Sequence, residues 1–157
     1  MKEIIARPGE LIIDTGESVI TSYALGSSLG ICLYDASHQL GGYVNSLLPI
    51  NTSKDFDTKY VNSAIHLLYE GMLQRGGDPN QIQAKLIGGA KLFRLPEIEQ
   101  EEDIGKSNIR SAYHALMKLH VPIISEDVGD CYGRSIHFHL KDGLVYIETR
   151  NNYLYHI

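Results

Sequence analysis

The chain has 157 residues, 43% hydrophobic and 21% charged, enough to bury roughly 70% of its unfolded surface within one domain spanning residues 1–157. A net charge of −5, a pI near 5.8 and the lack of any Lys/Arg run argue against a nucleic-acid surface or an anionic membrane patch. The opening MKEIIARPGELIID has neither the core nor the cleavage site of a signal peptide, and no apolar run nears the ~20 residues of a membrane span. Two cysteines, Cys32 and Cys131, make no disulfide framework. The expectation is a cytoplasmic protein with reduced thiols, no nucleic-acid partner and no membrane insertion.

The first half contains short apolar runs at residues 3–6, 10–13, 18–23, 29–34 and 42–48, read as strands. Turn signals separate them: Arg7-Pro8-Gly9, Thr15-Gly16-Glu17 and the polar residues 35–39. From Asp57 the period changes. Val61, Ala64, Ile65, Leu68 and Met72 fall at helical spacing, and Gly76-Gly77 supplies a stop. A strand over residues 84–87 leads to Gly88-Gly89-Ala90. A second helix runs through Ile109, Ala112, Leu116 and Leu119, with Ser107 or Asn108 as its expected cap and Pro122 ending it. Ile136, Phe138 and Leu140 then alternate with polar neighbours, and Asp142-Gly143 turns the chain into a strand over 144–148. Asn151-Asn152 should return 153–157 as a last strand. This order predicts an α+β fold of layered mixed sheets flanked by two main helices.

Gly26-Ser27-Ser28-Leu29-Gly30 satisfies the spacing of a serine-hydrolase elbow. Such an elbow joins a strand to a helix, whereas the residues after Ser28 are strand-like, so a serine hydrolase at Ser28 is the weaker reading. His137 and His139 share one strand face, with His156 within reach as a third ligand, yet a solvated face explains them better than a metal site. The acidic stretch 97–103 reads as a solvated loop. Cys32 sits inside an apolar strand, where burial would leave its thiol inert, and Cys131 lies in a loop.

Six segments in order resemble the CheD family, the chemoreceptor glutamine deamidases of chemotaxis. They are Gly26-Ser27-Ser28 with the following strand, Val44-Asn45-Ser46-Leu47-Leu48-Pro49, Lys59-Tyr60, the run from Ala84 to Phe93, Ile104-Gly105-Lys106-Ser107-Asn108, and Glu126-Asp127-Val128-Gly129 followed by Gly133-Arg134-Ser135. The resemblance implies a cysteine-hydrolase fold without a cofactor or metal. It also implies two partners, a chemoreceptor cytoplasmic domain and a CheC-like phosphatase. The departures fall where the chemistry belongs. Ser28 stands at the family's cysteine nucleophile, Asn45 at its histidine base and Ser22 at the threonine that orients the histidine. The expectation is a pseudo-deamidase that binds without catalysis. The alternatives are an active deamidase with a displaced nucleophile, Cys32 or Cys131 served by His38, His114 or His137, and metal-dependent hydrolysis at His137 and His139.

Overall fold

Alternating and helical periodicities sort the chain into strands and two helices in the computed structural model, which describes residues 2–92, 103–150 and 154–157. The strands are β1 (Glu3–Ile5), β2 (Ile12–Thr15), β3 (Val19–Leu25), β4 (Leu29–Asp35), β5 (Leu40–Ser46), β6 (Gln83–Gly88), β7 (Ile123–Val128), β8 (Arg134–His139), β9 (Val145–Thr149) and β10 (Leu154–His156). Helix α1 (Val61–Gln74) follows β5, and α2 (Ile104–Lys118) precedes β7. One sheet has the order β1-β3-β8-β9-β10 and the other β2-β5-β4-β6-β7. Each is mixed: β1 runs parallel to β3 and β6 parallel to β7, the other pairs being antiparallel. The predicted α+β fold of layered mixed sheets with two flanking helices is what is observed.

Side-chain alternation on β4 explains the layering. Leu29, Ile31 and Leu33 join Val61, Ile65, Leu68 and Met72 of α1 and Leu116 of α2 in one core. On the opposite face Cys32 joins Tyr43, Ile87, Ile20, Ile136 and Phe138 in a second core between the sheets. The second sheet is therefore buried on both faces, which is why β4 reads as a continuous apolar run. Helix α2 approaches that sheet backbone to backbone. A Cβ on Gly105 would come within 2.3 Å of the Gly89 carbonyl oxygen, and Gly89 itself has φ +67°.

Four expectations need correction. Strand β2 begins two residues late, because Gly9 (φ +78°) and the Glu10-to-Arg7 turn hold residues 7–11 out of the sheet. Helix α2 starts at Ile104 with Asp103 as its cap, whose carboxylate accepts the Lys106 amide at 3.1 Å, in place of Ser107 or Asn108. Asn108 is instead fully buried inside the helix. Strand β7 was not anticipated. Among the described residues it is a charged edge strand paired only with β6, and its exposed Ile124 and Glu126 break the apolar pattern. The expected last strand shortens to β10, with residue 153 outside the described residues.

Candidate functional site

The Gly26-Ser27-Ser28 turn joins β3 to β4, strand to strand, so the elbow of a serine hydrolase is not formed. Ala24, left-handed at φ 58°, marks the irregularity in β3 between Ser22 and Leu25 that leads into the turn. Three successive carbonyls of the turn are then held: Gly26 O by the Ala90 amide, Ser27 O by Asn108 Nδ2 and Ser28 O by the Gly89 amide, each at 2.9 Å. Gly88 (φ +111°) makes this approach possible, since a Cβ there would sit 2.5 Å from Ser28 O. A trans peptide points its N–H opposite to its C=O, so the amides of Ser27, Ser28 and Leu29 are aimed away from these anchors.

Pairing brings Asn45 to the same end of the sheet. Gly30, two residues after Ser28, is the ladder partner of Asn45. The Asn108 amide ties the two strands' ends again, donating to Ser27 O and, at 3.1 Å, to Leu47 O. Tyr43, two residues before Asn45 and hence on the same face, packs its hydroxyl over Gly30. Ser22 reaches this space from β3 in the facing sheet, close to the Tyr43 phenol. Burial drives that phenol's pKa far up, Cys32 adds to the rise, and the neighbouring Ser22 hydroxyl opposes it. The two hydroxyls lie near one another, yet among the described residues neither Ser22 Oγ nor Tyr43 OH makes a well-formed hydrogen bond. Asn45 Oδ1 and Asn108 Oδ1 are likewise buried without one. Buried polar atoms are nearly always paired, so four without a partner among the described residues set this end of the two strands apart.

A model of the family described as CheD chemotactic sensory transduction matches residues 47–149. The chain belongs to this family. It is 35% identical over 148 residues to a "Probable chemoreceptor glutamine deamidase CheD" of Pyrococcus abyssi, covering 92% of this chain and 90% of the relative. A protein of the same description from Caldanaerobacter subterraneus subsp. tengcongensis is 34% identical over 134 residues, 83% of each chain. One from Clostridium botulinum is 34% identical over 152 residues, covering 95% of this chain and 94% of the relative. Ser22, Ser28 and Asn45 all precede the stretch that the family model matches, but coverage of 95% leaves too few residues out to omit them.

The other candidates of the CheD-like chain are scattered. Cys32 is buried between the sheets, where desolvation pushes its thiol well above the ordinary range despite nearby Lys85. Cys131 is exposed and lines a cleft of about 530 Å³ with Ala24, Arg134 and Arg150. His38 is held by Asp35 at 2.8 Å, and His137 by Thr21 at 3.0 Å and Glu148 at 3.2 Å. His114 lies on the outer face of α2. Among the described residues, no histidine is hydrogen-bonded to either thiol. His137 and His139 do share a face, but Tyr146 packs between His139 and His156, and no cluster of three metal-binding side chains occurs among the described residues. Of the acidic stretch only Asp103 is described; the rest lies outside the described residues. Sequence reasoning missed Tyr43 and took Asn108 for a cap. Alternation from Asn45 gives the first, whereas nothing local in the sequence gives the second.

Proposed function

We propose that this chain is a degenerate member of the CheD family, a single cytoplasmic domain that binds a glutamine-bearing chemoreceptor helix or a CheC-like phosphatase without converting it. The observation that carries this reading is Asn45, an amide whose buried Oδ1 has no partner, beside the Ser28 turn. A thiol titrates near 8.5 and a neighbouring imidazole can hold it as thiolate. A serine hydroxyl does not ionise at neutral pH and needs a base to take its proton during attack. An amide cannot take that proton, and Ser22 is left with no imidazole to orient. What survives is the turn's geometry. Binding plus an oxyanion hole without a working triad gives roughly 10³–10⁴-fold over water, negligible against so slow a reaction as amide hydrolysis.

The test is mass spectrometry of a chemoreceptor cytoplasmic fragment incubated with the protein, beside a Ser28→Cys/Asn45→His variant and an intact relative. Glutamine converted to glutamate by the intact relative and not by the parent chain, together with binding of the fragment by the parent, is the expected result. Conversion by the parent would overturn it. A second reading, deamidation by a displaced thiol, has one observation in its favour: Cys131 is exposed and shares a cleft with Ala24, which lies close to the Ser28 turn. It requires activity that alkylation of Cys131 abolishes. Cys32 is too deeply buried to serve.

A further inference from the structure

On the far side of the molecule from the inter-sheet core, α1, α2 and the segment after Pro49 enclose an open groove of about 640 Å³. One wall is a stripe of Arg110, His114 and Lys118, four residues apart along α2 and all exposed. That spacing puts them on one helical face, with roughly 6 Å of rise between successive side chains. The other wall is apolar: Ile50 and Phe56 are each 59% exposed, and the Phe56 ring stacks on His66 at 4.5 Å between centroids. None of the described lining residues is acidic, although the whole chain carries a net −5. Among the described residues, neither Arg110 nor Lys118 has an ion-pair partner.

Large apolar side chains left in water beside cations with no ion-pair partner among the described residues mark an interaction surface, and the charge contrast selects its occupant. We propose that this groove docks an acidic amphipathic helix of another protein. Carboxylates at every fourth position of that helix meet Arg110 and Lys118, and an adjoining apolar stripe covers Ile50 and Phe56. The occupant's helix lies along α2, since only that direction matches a four-residue repeat to a four-residue repeat. This inference does not depend on the chemistry assigned to Ser28, which lies on the other side of α2.

The test uses the full chain and a fluorescein-labelled helical peptide of about 18 residues, long enough to span α2. The peptide carries Glu at four-residue intervals with Leu on the adjoining face, and a matched peptide carries Lys for each Glu. Fluorescence anisotropy should show binding of the Glu peptide, weakened by salt, and little binding of the Lys peptide. Arg110→Glu/Lys118→Glu should weaken the Glu peptide by tenfold or more, and Phe56→Ser by several fold, with thermal unfolding unchanged in both. Should the charge-reversed protein prove unstable, Arg110→Gln/Lys118→Gln is expected to give a smaller loss in the same direction. Absence of Glu-peptide binding, equal binding of both peptides, or indifference to the α2 substitutions would overturn the proposal. So would self-association abolished by Arg110→Glu/Lys118→Glu, because the occupant would then be a second copy of this chain.

Discussion

The two ends of β4 and β5 both bury polar groups and treat them in opposite ways. At one end Asp35 is fully buried, and its carboxylate is saturated. It accepts the Ser37 and Asp78 amides at 2.9 and 2.8 Å, the Ser37 hydroxyl at 2.5 Å and His38 at 2.8 Å. At the other end Ser22, Tyr43, Asn45 and Asn108 each leave a buried oxygen without a partner among the described residues. The same pair of strands thus has an end that ties the hairpin to the loop before β6 and an end whose polar oxygens have no partner among the described residues.

The sharpest way to break this comparison is to remove the scaffold carboxylate. Asp35→Ala strands four donors and should cost roughly 3 kcal/mol in urea unfolding. A loss below about 1 kcal/mol would mean that water replaces the carboxylate and that the two ends do not differ. Acid should act on the same group. Burial on its own would raise the Asp35 carboxyl, but hydrogen bonds from Asp78, Ser37 and His38 outweigh it and hold the pKa at about 2, below the ordinary 3.8. The folded value is the lower one, so Asp35 stabilises the fold fully above 3.8, and the benefit is lost as the pH falls through 3.8 toward 2. An acid titration of parent against Asp35→Ala should converge in that window, and parallel curves would contradict the assignment.

At the other end substitution should be nearly free. Asn45→Leu removes an amide whose oxygen has no partner and should change stability by less than about 1 kcal/mol in either direction, read by the same unfolding assay. A loss of several kcal/mol would show that the amide is structural. The smallest effect expected is kinetic. In the folded protein iodoacetamide should label Cys131 alone, with Cys32 reacting only after denaturation, as peptide mapping would report. Labelling of Cys32 in the native state would mean that the two sheets part readily.

How far the sequence revealed all this depended on the distance between the residues that matter. The alternation of Ile136, Phe138 and Leu140 is local, and β8 follows from it directly. Strand β7 owes its place to parallel pairing with β6 across α2, a long-range relation that leaves no periodic trace in Ile123–Val128. Asn108 looked like a cap because polar residues before an apolar run usually are caps. Its real partners, Ser27 O and Leu47 O, lie 81 and 61 residues away. Naming Ser22, Ser28 and Asn45 together rested on the family resemblance alone. No spacing rule gives the neighbourhood, since the β4–β5 register sets Asn45 opposite Gly30, two residues after Ser28, and Ser22 comes from the other sheet.

The contact between Gly89 and Gly105 gives this division a historical side. A methyl group on Gly105 would meet the Gly89 oxygen at 2.3 Å, and one on Gly89 would meet Ile109 and the Gly105 oxygen at 2.7 and 3.0 Å. Neither position can drift alone, because the cost falls on backbone that cannot step aside. Positions 28 and 45 already carry side chains, a serine and an asparagine, and neither takes part in that glycine contact. The seat of α2 on the sheet is thus fixed by two backbone positions acting together, whichever side chains stand at 28 and 45.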